Sequence, residues 1–137
     1  MIIAIRISGH VEMPSDAEET LFRMRMRKKY TAVLLKETQE TKNLLQVVRN
    51  FIAYGPIDQK TLEELISKRG KASDNKSKVD IKKVAETILK DGMGKAGIKP
   101  FFRLHPPRKG IDSKTHYPKG ILGDNGDKIN ELVRRML

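Results

Sequence analysis

The chain has 137 residues, enough for one domain around a modest core, and a formal net charge of +11. A compact body so charged repels itself unless a polyanion neutralises it, and for a small basic protein that polyanion is RNA or DNA. The absence of cysteine excludes a disulfide scaffold and thiolate metal sites, no stretch approaches a membrane span, and a cytoplasmic location is expected.

Ile2 to Ile7 is short and β-branched, with Ile3, Ile5 and Ile7 on one face, so a buried strand is expected; the run is too short for a signal peptide and Arg6 breaks it. Ser15-x-x-Glu18 has the spacing of a capping box and opens a helix that turns Ala17, Leu21 and Met24 inward. Its end carries Arg23, Arg25, Arg27, Lys28 and Lys29, cations that suit the negative end of a helix dipole. Such a run is a solvated face or an RNA contact, and spacing alone leaves both open.

Thr31 to Lys36 reads as a second strand, with Val33 and Leu35 opposed to Ala32 and Leu34. Thr41 to Asn50 reads as a second helix on Leu44, Leu45, Val47 and Val48, and Phe51 to Tyr54 as a third strand. A β-α-β-α-β order of this kind permits an antiparallel sheet with both helices on one face, a split βαβ arrangement. Asp58 then caps a third helix with Leu62, Leu65 and Ile66 inward, closed at Gly70; residues 71–78 are polar and read as a linker. Asp80 caps a fourth helix on Ile81, Val84, Ala85, Ile88 and Leu89, and Asp127 a last one on Ile129, Leu132, Val133 and Met136.

The charge is unevenly placed. Residues 1–70 hold twelve Lys and Arg against nine Asp and Glu, and residues 71–137 hold sixteen against eight. Between Lys95 and Lys119 the cations are Lys95, Lys99, Arg103, Arg108, Lys109, Lys114 and Lys119, with Asp112 the only carboxylate. On an extended strand Phe102 and Leu104 point one way and Phe101, Arg103 and His105 the other. The second set can stack on bases and bind phosphate, and Pro106-Pro107 stiffens the exit so that Arg108 and Lys109 are held out. His105 and His116 flank this loop and suit hydrogen bonds to phosphate or sugar.

Other patterns carry less. Gly92-Met-Gly94-Lys-Ala-Gly97 has G-x-G-x-x-G spacing, but a helix precedes it and Pro100 follows closely, so it reads as a helix stop and turn. His10, His105 and His116 lack metal-ligand spacing. Gly123-Asp-Asn-Gly-Asp127 lacks the ligand pattern of a calcium loop and reads as a turn. Ser, His and Asp show no triad spacing, and Ile7-Ser-Gly-His-Val11 resembles an acylphosphatase loop without its arginine. No catalytic set, metal, cofactor or small-molecule substrate is expected.

Three stretches carry a family resemblance: Ile3-Ala-Ile-Arg-Ile-Ser-Gly with its following helix; Phe51-Ile-Ala-Tyr-Gly-Pro with Thr61-Leu-Glu-Glu-Leu-Ile-Ser-Lys-Arg-Gly70; and Phe102-Arg-Leu-His-Pro-Pro-Arg-Lys-Gly110 with Gly123-Asp-Asn-Gly-Asp-Lys-Ile-Asn-Glu-Leu-Val-Arg-Arg-Met136. The chain resembles the universal large-subunit ribosomal protein thirty family in its longer archaeal form, kin to eukaryotic large-subunit protein seven. The short bacterial form ends after the core, so residues beyond about Gly55 match only the longer members.

The resemblance implies an α+β fold: a β-α-β-α-β core of residues 1–57 with a three-stranded antiparallel sheet, ferredoxin-like in character. A helical extension of residues 58–137 follows, bearing the basic 99–119 loop, and the two form one compact domain. It implies a non-enzymatic structural constituent of the large ribosomal subunit, in contact with large-subunit rRNA and neighbouring ribosomal proteins. The expected RNA-binding residues are Arg103, His105, Arg108, Lys109, Lys114, His116 and Lys119, with Arg23, Arg25, Arg27, Lys28 and Lys29 as a second patch. The alternatives are an RNA- or DNA-binding protein outside the ribosome and, ranked below it, a small acylphosphatase-like enzyme.

Overall fold

A computed structural model describes residues 2–7, 9, 14–69, 81–91, 101–108, 120 and 122–137. The loop at 8–13, the Gly70 stop, the 71–78 linker, the Asp80 cap, the 92–97 glycines and residues 109–119 lie outside the description, apart from Gly9. The elements, in chain order, are β1 (Ile2–Arg6), α1 (Ser15–Arg23), β2 (Thr31–Leu35), α2 (Gln39–Val48), β3 (Ile52–Pro56), α3 (Gln59–Arg69), α4 (Ile81–Asp91), β4 (Phe102–Arg103), β5 (Gly123–Asp124) and α5 (Ile129–Met136).

The architecture is α+β, with an open mixed sheet ordered β4-β2-β1-β3-β5. Its centre is the expected antiparallel trio: β1 pairs with β2 (Ala4 opposite Val33) and with β3 (Ala4 opposite Tyr54). The sheet extends beyond that trio at both edges. β4 joins β2 antiparallel, placing Arg103 opposite Thr31, and β5 joins β3 in parallel, placing Gly123 opposite Ala53.

Both faces of the sheet are covered, and alternation along the strands sorts the residues between them. One core layer joins Ile2, Ala4, Val33 and Ile52 to Ala17, Leu21 and Met24 of the α1 region and to Leu45 and Val48 of α2. The opposite layer joins Ile3, Ile5, Ile7, Ala32 and Leu34 to Leu62, Leu65 and Ile66 of α3, Ala85 and Ile88 of α4, and Ile129, Leu132, Val133 and Met136 of α5. Phe102 and Leu104 are inward on this second side, as their strand parity requires. Leu44 and Val47, which share the apolar stripe of α2 in sequence, stay exposed.

Several helix ends differ from expectation. No capping box forms on α1, because the Glu18 amide donates to the Pro14 carbonyl (3.0 Å) and Ser15 is already the first helical residue. The cap of α2 is Thr38, whose hydroxyl accepts the Thr41 amide at 3.2 Å, so that helix starts at Gln39 and not at Thr41. The last helix is entered through a 3-10 turn, Gly126–Lys128, with no side-chain cap from Asp127. Asp124 shapes that entry by accepting the Gly126 amide at 2.9 Å, which fits the turn read from Gly123 to Asp127.

Two contacts lock this turn to the sheet. Asn130, buried on α5, accepts the Asp58 amide (3.0 Å) and donates to the carbonyls of Pro56 (3.3 Å) and Asp127 (3.1 Å). Gly55 on β3 lies so near the same turn that an added Cβ would stand 2.5 Å from the Gly126 carbonyl oxygen and 2.9 Å from Ile129 Cγ2. Substituting Gly55→Ala forces backbone apart, and we expect a loss of about 1–3 kcal/mol, read as a lower urea midpoint at unchanged slope.

Candidate nucleic-acid interface

The surface of interest begins where α1 stops. The Met26 amide donates to the Leu21 carbonyl at 2.9 Å and the Arg25 amide to the Phe22 carbonyl at 3.0 Å, a Schellman closure with Arg25 in the left-handed region at φ 66°. Glycine is the usual residue there because a Cβ strains that conformation. The apolar contact that accompanies such closures is present, since Met26 and Leu21 are both fully buried in one layer. The helix therefore ends at Arg23, and Arg25, Arg27, Lys28 and Lys29 lie on the connection to β2, not in a last helical turn as the sequence reading had them.

Arg6 holds that connection. Only 1% exposed at the end of β1, its Nη1 donates to the carbonyls of Met26 (2.7 Å) and Arg27 (3.2 Å), and its Nη2 to that of Gly9 (3.5 Å). Burial pulls the guanidinium below its ordinary pKa while Glu18 acts in the opposite direction. It stays charged at any physiological pH. The Arg6 carbonyl accepts the Tyr30 amide at 2.7 Å, and Tyr30 is itself left-handed at φ 63°. From that bend the Tyr30 carbonyl takes the Leu104 amide at 3.0 Å, which aligns β4 against β2.

The result is a groove of about 500 Å³ lined by Phe22, Arg23, Arg25, Arg27, Phe101 and Arg103. Strand pairing thus brings two basic segments, far apart in sequence, to one place. Arg27 stacks over the Phe22 ring, 4.3 Å from its centroid, and Arg103 lies over Phe101 at 5.2 Å. Arg23 is engaged by Glu19 at 2.6 Å in an exposed i,i+4 pair, which contributes little. Among the described residues no ion pair reaches Arg25, Arg27 or Arg103.

Lys28 and Lys29 are exposed beside the groove, with Lys29 Nζ 5.1 Å from the Tyr30 ring centroid. His105 and Arg108 are exposed further along, and their backbone is docked, not projecting. The His105 amide donates to the Met136 carbonyl and the Arg108 amide to the Arg135 carbonyl, each at 3.0 Å, while Arg135 Nε returns a bond to the Arg108 carbonyl at 3.0 Å. The final carbonyls of α5 gain partners that a helix end otherwise lacks. Lys109, Lys114, His116 and Lys119 lie outside the described residues.

Reading the sequence missed two members of this site. Phe22 went unnoticed because the inward stripe of α1 explains its neighbours, and Arg6 was read only as a break in an apolar run. An arginine inside a strand buried on both faces is itself the signal, since such a charge must find oxygen partners.

No family model matches the chain. Individual relatives do, from end to end. The chain is 36% identical over 154 aligned positions to the large ribosomal subunit protein uL30 of Archaeoglobus fulgidus, covering 99% of both proteins. It is 36% identical to the uL30 of Aeropyrum pernix, with 97% of this chain and 96% of the relative covered. It is 39% identical to that of Desulfurococcus amylolyticus, with the same coverage. The chain belongs to the uL30 family. The family resemblance read from the three sequence stretches is thereby established, in its archaeal form. Both core layers and the groove lie within the span shared with these uL30 proteins.

Arg6→Met keeps the buried stem and removes the donors, leaving the Met26 and Arg27 carbonyls short of partners. We expect a loss of about 1–3 kcal/mol in urea unfolding and slower-protected to fast-exchanging amides across residues 25–30. Unchanged exchange there would show that Arg6 does not hold the turn.

Proposed function

We propose that the chain is a non-catalytic structural constituent of the large ribosomal subunit, binding large-subunit rRNA through its basic surface, in the cytoplasm and beside other ribosomal proteins. The end-to-end correspondence with proteins named as large ribosomal subunit uL30 carries this reading. The groove supports it physically. Arginines without carboxylate partners among the described residues, in a chain of charge +11, call for an anion with closely spaced charges. A phosphodiester backbone has that spacing, and the planar guanidinium fork matches phosphate.

In this reading Arg23, Arg25, Arg27 and Arg103 form one phosphate-binding surface, with Lys28 and Lys29 at its margin. Arg108, Lys109, Lys114 and Lys119 extend the phosphate contacts, and His105 and His116 add hydrogen bonds to phosphate or sugar. The strained conformation of Arg25 fits the same reading, because an unusual residue in a left-handed position is retained where its side chain has another task.

A protein built into the subunit stays with it through a high-salt wash, whereas a loose electrostatic binder is released, so co-sedimentation with large subunits after such a wash is the direct test. Arg25→Gly separates fold from function. It relieves the left-handed strain, and we expect stability to rise by about 0.5–1 kcal/mol. RNA affinity should fall at the same time, with the slope of log affinity against log salt flattened by about 0.7–0.9 for the lost phosphate contact. An unchanged slope would remove Arg25 from the phosphate contacts.

A further inference from the structure

We propose that the groove between Phe22 and Phe101 receives an unpaired nucleotide of RNA, its base stacked against a phenyl ring and its phosphates held by the surrounding arginines; this rests on the rRNA-binding reading above. The aromatic rings carry the inference beyond phosphate binding. Phe22 is 55% exposed and belongs to neither core layer, although it sits one residue from the fully buried Leu21. Phe101 is packed against the layer that holds α1 and α2, so its ring is fixed in place beside the groove. Electrostatics alone would need neither ring.

An A-form duplex offers this groove little. It presents riboses and phosphates outward and keeps the faces of its bases inside the stack. A concave space of about 500 Å³ falls in the range of clefts that enclose a small ligand, and does not match a broad ridge of duplex backbone. An unpaired base offers a flat π-face, which stacks on aromatic rings and on guanidinium planes alike. The stack is already begun in the protein, since Arg27 lies over Phe22 and Arg103 over Phe101. A base entering there extends an existing cation–π layer, and its flanking phosphates meet Arg25 and the free edges of the other guanidiniums. An acidic peptide would satisfy the charges and leave the rings unused.

The test measures binding of the full chain to a short unstructured oligoadenosine and to an RNA duplex of equal length, across a salt series. Phe22→Ala removes the more exposed of the two groove rings without touching either core layer, and Phe101→Leu keeps apolar bulk where Phe101 is packed. We expect each to weaken single-strand binding about five- to hundredfold, with an unchanged salt slope and an unchanged duplex affinity. Ultraviolet crosslinking of a short oligouridine should place the adduct on peptides containing Phe22 or Phe101. Equal losses for duplex and single strand, or no loss in either, would overturn the proposal while leaving RNA binding intact. So would displacement of the oligoadenosine by oligoglutamate at matched charge, which would identify an acidic protein segment as the occupant. If the unaltered chain binds neither RNA, the rRNA-binding reading itself fails, and that outcome is distinct from the others.

Discussion

Everything in this fold is arranged around a central strand that is apolar on both sides. β1 pairs with β2 and β3, and its residues enter the two core layers alternately, Ile3 and Ile5 on one side and Ile2 and Ala4 on the other. A sheet of this kind cannot leave either face to water, because each buried branched side chain is worth about 1.5–3 kcal/mol. The pair α1 and α2 covers one face only. The other is covered by α3, α4 and α5, so the second half of the chain supplies a layer that the central strands require.

The one charged side chain in that strand connects the core to the interface. Arg6 is oriented by strand parity and buried by the sheet, so its guanidinium is spent on carbonyls of the α1–β2 connection. The connection in turn contains two left-handed residues, Arg25 and Tyr30, each costing on the order of 1 kcal/mol. A stretch strained at both ends stays fixed only because its middle is bonded to a rigid element. The groove thus has one wall pre-organised by the central strand of the sheet, which lowers the ordering entropy to be lost when a ligand arrives.

How much of this was legible in sequence follows from how local each signal is. Strand alternation at Ile3, Ile5 and Ile7, the split of Val33 and Leu35 from Ala32 and Leu34, and the inward Phe102 and Leu104 are local patterns, and all were readable. The cationic residues were readable by composition. Their meeting place was not, because it depends on β4 pairing with β2 across some seventy residues. The second edge strand was invisible for a different reason: Gly123 and Asp124 are poor strand formers, and β5 exists because the turn after it packs against Gly55. The end of α1 was misjudged because the rule that fits cations to a helix C-terminus does not know that Met26 is drawn into the core and closes the helix early. The capping box failed in the same way, since a proline carbonyl one residue upstream accepted the bond first.

The pairing of β4 with β2 also sets an order of events during synthesis. A growing chain folds its early segments while later ones are still being made. Arg23, Arg25 and Arg27 emerge early and already carry their charge, but the opposite wall, with Phe101 and Arg103, is added much later. Joining the two walls closes a long loop, a step that comes late because its entropy must be met before the contact forms. Only a chain that has been made through β4 and has docked it carries the finished groove. The site thereby reports on completion: an unfinished chain has the cations of one wall but not the shape of the groove.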